Sequence, residues 1–103
     1  MLRAVMIDGR PGTTVKYTAS DVATALPAAI LTNSGASAVG LLITCETYPI
    51  RIAFVADASL TVGHLVNVGD VYRVYGNSLV AELTYINATL GSNGVLQVTP
   101  FYT

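Results

Sequence analysis

A chain of 103 residues with five basic and six acidic side chains carries a formal net charge of −1, and only 11% of it is charged. That is under half of the ~25% usual in soluble domains, and it leaves no basic stripe for nucleic acid and no polybasic patch for a membrane surface. Hydrophobic residues reach 52%, yet no apolar run approaches the ~20 residues that a membrane-spanning helix needs.

The length suits one domain spanning residues 1–103. Residues 2–8 read as a short first strand, ended by Gly9-Arg10-Pro11-Gly12, a strong turn signal. Residues 13–18 (TTVKYT) are β-branched and aromatic and form a second strand. Residues 21–31 (DVATALPAAIL) carry a conflict. Alanine favours helix, and Ser20 or Asp21 could cap one. Pro27 falls too far inside for a good helix, and Val22, Thr24 and Leu26 alternate. The reading adopted is two extended pieces bent at Pro27, followed by a loop over residues 32–37.

Val39, Leu41, Ile43 and Cys45 then alternate with Gly40, Leu42, Thr44 and Glu46, which gives a strand with one wholly apolar face. Pro49 lacks an N–H and suits the start of a new strand, in which Ile50, Ile52 and Phe54 alternate with Arg51, Ala53 and Val55. A small-residue loop (Ala56-Asp57-Ala58-Ser59) and a Val66-Asn67-Val68-Gly69-Asp70 turn lead to a strand over residues 71–75, closed by Gly76-Asn77-Ser78. Residues 79–88 alternate Leu79, Ala81, Leu83 and Tyr85 against Val80, Glu82, Thr84 and Ile86, another strand. After a turn at residues 89–94, residues 95–102 form the last strand, where Pro100 marks an edge or an exit arm. The sum is eight to nine short strands and no helix: an all-β, antiparallel β-sandwich or jelly roll.

Candidate chemistry is sparse. Gly63-His64 followed by Val68-Gly69-Asp70 is similar to the frame of metal-binding cupin barrels. One histidine cannot supply their ligand cluster, however, and Glu46 lies on another strand without ligand spacing. Cys45, the only cysteine, excludes an intramolecular disulfide and reads as a small buried hydrophobe. No Gly-x-Ser-x-Gly elbow or phosphate-binding glycine loop is present. The expectation is a protein that is no enzyme, with no cofactor and no metal. Asn87-Ala88-Thr89 matches a glycosylation sequon that carries no meaning without an export signal. Tyr48, Tyr72, Tyr75, Tyr85 and Tyr102 could in principle make a sugar-stacking platform, but Tyr72 and Tyr75 have opposite parity, and tyrosines at the core edge or at subunit contacts are the preferred reading. Arg51 and Arg73 sit in apolar strands and call for Glu46, Asp57, Asp70 or Glu82 as partners, within the chain or across a subunit contact.

Glu46-Thr47-Tyr48-Pro49-Ile50-Arg51, then Val62-Gly63-His64, Gly69-Asp70 and the closing Leu96-Gln97-Val98-Thr99, resemble a group of small structural proteins of tailed bacteriophages and prophages. The likeness covers residues 41–102. Ala56-Asp57-Ala58-Ser59 stands where the group usually carries an Asp-Gly loop. The resemblance implies a virion protein, a head decoration or cement protein that sits on the capsid surface as a β-sandwich oligomer. Its partners would be the major capsid protein and copies of itself; a tail or head-fibre component and a carbohydrate-binding module are the alternatives. A homotrimer is expected, because charge is short, Lys16 is the one lysine to guard a sheet edge, and icosahedral shells offer three-fold sites. Arg51, Arg73, Tyr75, Pro100, Phe101 and Tyr102 are the candidate subunit or capsid contacts, with residues 98–102 as an arm reaching a neighbour. MLRAVMIDGRPG lacks the apolar stretch of a signal peptide, so the expected route is synthesis in the host bacterial cytoplasm, then the virion.

Overall fold

The alternation around Val39 belongs to the longest strand, Ala36–Glu46. In the structure, a computed structural model describing residues 10–33 and 35–102, it is one of ten strands. In chain order these are β1 (Arg10–Pro11), β2 (Val15–Thr18), β3 (Thr24–Ala25), β4 (Thr32–Asn33), β5 (Ala36–Glu46), β6 (Ile50–Phe54), β7 (His64–Val66), β8 (Val71–Tyr75), β9 (Leu83–Asn87) and β10 (Val95–Tyr102). Two helical turns, α1 (Ala28–Leu31) and α2 (Asn77–Glu82), precede β4 and β9. The strand expected over residues 2–8 lies outside the described residues.

β5 and β10 pair antiparallel from Val95↔Glu46 to Tyr102↔Ala38 and form the middle of the larger sheet. Beyond β10 lie β2 and β1; beyond β5 lie β8 and β4. The smaller sheet runs β3–β9–β6–β7. The orders β2–β10–β5–β8 and β3–β9–β6–β7, all antiparallel, make the all-β sandwich a jelly roll. Period two then decides what is inside. Leu41, Ile43 and Cys45 of β5, with Leu96 and Val98 of β10, face Ile50 and Ile52 of β6 and Leu83 and Tyr85 of β9 in one cluster.

The connections sort by end. At one end, four links cross between the sheets: residues 19–23, 47–49, 67–70 and 88–94. At the other end α1 and α2 make the crossings, and residues 55–63 join β6 to its neighbour β7. That longer link folds over the outside of the smaller sheet, where Ala58 packs on Ala53 and Ile86. The Ala58 N–H donates to Thr84 Oγ1 at 2.9 Å.

Six expectations need correction. Arg10–Pro11, read within a turn, form β1, and residues 32–37, read as a loop, hold β4 and the first residues of β5. The bend at Pro27 is present, but only Thr24–Ala25 is extended before it; the second piece is α1, with Pro27 as its N-cap residue and Ile30 buried. Pro27 thus starts a helical turn where a longer helix would have placed it inside. Residues 79–88 are not one strand: α2 occupies Asn77–Glu82 and the strand begins at Leu83. Alternation misled there because both parities were apolar, while in α2 the only buried side chain is Val80. β7 is a further strand over His64–Val66, a stretch to which the sequence assigns no strand and whose Val66 it places in the turn. Finally, Pro100 is neither on an edge nor in an arm. It sits inside β10, its carbonyl accepting the Gly12 N–H at 2.8 Å. Its nitrogen therefore faces the gap between β1 and β2, where no strand needs a donor from it.

Two non-glycine residues flank β6 at positive φ, Thr47 (71°) and Val55 (69°). Each is the middle of a three-residue turn: Tyr48 N–H donates to Glu46 O and Ala56 N–H to Phe54 O, both at 2.8 Å. For β-branched residues this backbone is strained by roughly 1–3 kcal/mol. Val55 gains no compensating packing, since it is 81% exposed. Val55→Gly is expected to stabilise the fold by about 1 kcal/mol in chemical denaturation, the strain relieved exceeding the entropy cost of glycine; a loss of stability would show the turn to be unstrained.

Candidate interaction surface

The expected contact residues divide into three groups. Pro100 and Tyr102 are buried in the chain's own core, and the Tyr102 hydroxyl donates to Ile30 O at 2.8 Å, so the expected C-terminal arm is a central strand instead. Arg51 lies on the outer face of the smaller sheet, between Ile86 and Leu65 in register. Its Nη1 donates to Gly63 O at 3.0 Å, and its buried Nε finds no acceptor. Arg73, Tyr75 and Phe101 do come together, on the outer face of the larger sheet. Tyr75 and Phe101 stand on either side of Gly40, and Arg73 and Thr99 on either side of Leu42. The next row is Val71, Thr44, Gln97 and Lys16.

This face is flat, with an aromatic ring on each side of a position without a side chain. Lys16 and Arg73 are its cations, and Glu46, at the lower margin of β5, its carboxylate. Among the described residues neither Arg51 nor Arg73 makes an ion pair, so the intramolecular partners expected for them are not engaged.

The tyrosines do not gather into a platform. Tyr75 is on the outer face, Tyr48 on an end loop, Tyr85 and Tyr102 inside. Tyr72 faces inward, 6.5 Å ring to ring from His64, which lies 6.5 Å from Phe54. His64 thus closes the β7–β8 margin of the sandwich, and no group of three metal-ligating side chains occurs among the described residues. Cys45 is buried, and its Sγ–H donates to Tyr48 O at 3.1 Å. Burial pushes the thiol pKa up, and the nearby Asp70 and Glu46 charges add to this against a hydrogen bond from the Ile50 backbone, so the group stays an unreactive thiol. An apolar groove of about 450 Å³, not foreseen from the sequence, lies between β2 and α1, lined by Val15, Tyr17, Pro27, Ile30 and Tyr102 among others. It exists because β3 is too short to cover the inward side of β2. Its titratable groups are tyrosines, which supply no acid–base pair.

Sequence reasoning also missed the node that holds the four-loop end together. Asn87 is 0% exposed, and every polar atom of its side chain is used. Its Nδ2 donates to Asp21 Oδ1 (2.9 Å) and Asn93 Oδ1 (2.7 Å), and its Oδ1 accepts from Gly94 N–H (3.1 Å). Asp21 Oδ1 also accepts from Gly91 N–H at 2.9 Å. The sequon asparagine is therefore a structural residue. Gly94 must be small, because a Cβ there would sit 2.5 Å from Tyr48 O and from Ile50 Cγ2. Ala88 N–H to Pro49 O (3.2 Å) ties loop 47–49 to this node, and Gly69 N–H to Cys45 O (3.0 Å) ties loop 67–70 to the end of β5.

The chain was compared with protein-family models, with curated proteins and with solved structures, and it matches none of them.

Asn87→Leu should cost roughly 2–4 kcal/mol in denaturant unfolding, because buried partners lose their bonds; an unchanged midpoint would refute the node. Asp21 gives a pH signature. The Gly91 N–H and then the Asn87 amide hold its carboxyl below the ordinary value of 3.8. Its contribution is complete above that value and is lost as pH falls through the lower folded value. Melting temperature should therefore drop at acid pH more steeply in the wild type than in Asp21→Asn, and parallel curves would contradict this.

Proposed function

We propose that the chain is a non-enzymatic structural protein of a tailed-bacteriophage virion, a decoration protein that binds the outer surface of the major capsid shell and stabilises it. The observation that carries this reading is the surface. Among the described residues, twelve large apolar side chains are exposed on a chain that is only 11% charged. Exposed apolar side chains mark contact with other proteins where they gather, and Val22, Tyr48, Val68 and Leu90 lie on the loops of one end. The phage-like segments fall where this fold needs them: Glu46-Thr47 ends β5 and starts the strained turn into β6, Gly63-His64 opens β7, and Gly69-Asp70 turns into β8.

The mechanism is mass action. A protein that binds the assembled shell and not its unassembled subunits stabilises the shell by RT ln(1 + [L]/Kd), about 2.7 kcal/mol at a hundredfold excess over Kd. The working unit is a homotrimer, made in the bacterial cytoplasm and carried on the capsid, where three-fold sites let each contact repeat three times.

Co-sedimentation tests the reading. Purified protein should pellet with empty shells of the major capsid protein encoded in the same genome, leave the unassembled capsid protein in the supernatant, and raise the shell's melting temperature. Binding to tail tips and not to shells would move the protein to a fibre. Binding to neither would remove it from the virion.

A further inference from the structure

At the four-loop end, every loop that crosses between the sheets exposes one large apolar side chain: Val22 (70% exposed), Tyr48, Val68 and Leu90 (64%). The hydrogen bonds through Asn87, Ala88 and Gly69 join these loops into one continuous surface. Asp21 and Asp70 lie on these loops, which hold no lysine or arginine. Among the described residues Asp21 and Asp70 accept backbone and amide donors only, while Glu46 beside them belongs to the outer sheet face, where it accepts from Gln97 Nε2 at 3.3 Å. The end is apolar and anionic, and its loops carry no cation of their own.

The outer face of the larger sheet is the complement. It is flat and half-apolar, with Val71, Leu42, Tyr75 and Phe101 in adjoining register positions and Arg73 and Lys16 as cations.

We propose that these surfaces recognise each other: the loop end of one copy docks on the outer face of the larger sheet of the next. Leu90 and Val22 pack on the Tyr75 and Phe101 side of that face, and Asp21 and Asp70 face Arg73 and Lys16. The contact is heterologous, so it must close into a ring or run on as a fibre. Closure is natural here. The end of a sandwich and the face of its sheet point in perpendicular directions, and a three-fold rotation about a diagonal carries one such direction onto the other. The inference deepens the trimer of the preceding section and rests on it. It further assigns which surfaces are consumed in the trimer and which remain for a shell: the outer face of the smaller sheet and the α1–α2 end.

The test uses two variants of exposed side chains, one per surface. The end variant carries Val22→Arg and Leu90→Arg; the face variant carries Lys16→Glu and Arg73→Glu. Light scattering should find the wild type at three chains and each variant alone at one, with unfolding midpoints unchanged. Mixed in equal amounts at high concentration, the variants should give a mass of two chains, because the face variant's intact end meets the end variant's intact face once and the ring cannot close. A wild type at one chain would overturn both this contact and the trimer. Variants that remain trimeric would overturn this contact and leave the trimer standing. Two monomeric variants whose mixture stays at one chain would overturn the head-to-tail arrangement.

Discussion

The β5–β10 ladder is the constraint on which the rest depends. Both strands are central, and the pairing from Glu46↔Val95 to Ala38↔Tyr102 lines up the inward residues of one with those of the other. Leu41, Ile43, Leu96 and Val98 are fully buried along it. A slip of one residue would turn all of them to the outer face, so burial fixes the register strongly. The other strands of the larger sheet attach to this pair: β2 and β1 share the open side of β10, and β8 and β4 that of β5. Pro100 is tolerated at the centre because its nitrogen faces the gap between β1 and β2.

The same packing sets where polarity can go. With the interior filled by aliphatic side chains, Asn87, the one buried polar residue among those described, sits where the sandwich ends and four loops need anchoring. Its bonds to Asp21, Asn93 and Gly94 replace the hydrophobic contacts that an end cannot make. Rigid loops can then display Val22, Tyr48, Val68 and Leu90 at fixed positions. A mobile loop would lose that order, since each rotamer-rich side chain immobilised at an interface costs roughly 0.5–1.5 kcal/mol on binding. Loop rigidity is thus the link between the core and the proposed association.

How much of this was legible in the sequence follows from its periodicities. β5, β6, β8 and β10 could be read closely, because alternation over five residues or more between turn residues leaves little choice. The 67–70 turn was also plain: Gly69 has φ 89°, and the Asp70 carboxylate accepts the Asn67 N–H. Short elements were not legible. β7 has three residues, and α2 mixes exposed Leu79 with buried Val80, so no period could emerge. The Asn87 node was hidden because its partners come from positions 21, 93 and 94, and only the fold brings them together. Of the contact candidates, Arg73, Tyr75 and Phe101 share a face because β8 and β10 both pair with β5, which the sequence did not disclose. Pro100 and Tyr102 misled because proline near a chain end suggests an arm, while here it occupies the one gap in a ladder.

In the proposed assembly the apolar, charge-poor exterior of a rigid jelly roll is the contact surface. Hydrogen exchange of the purified protein, compared between concentrations above and below that of association, tests this most directly. Amides of residues 67–70 and 88–93 on the loop end, and of β8 and β2 on the outer face, should slow together at high concentration, while those of residues 56–62 on the opposite side stay unchanged. Exchange that is identical at both concentrations, or slowing confined to residues 56–62, would contradict the account.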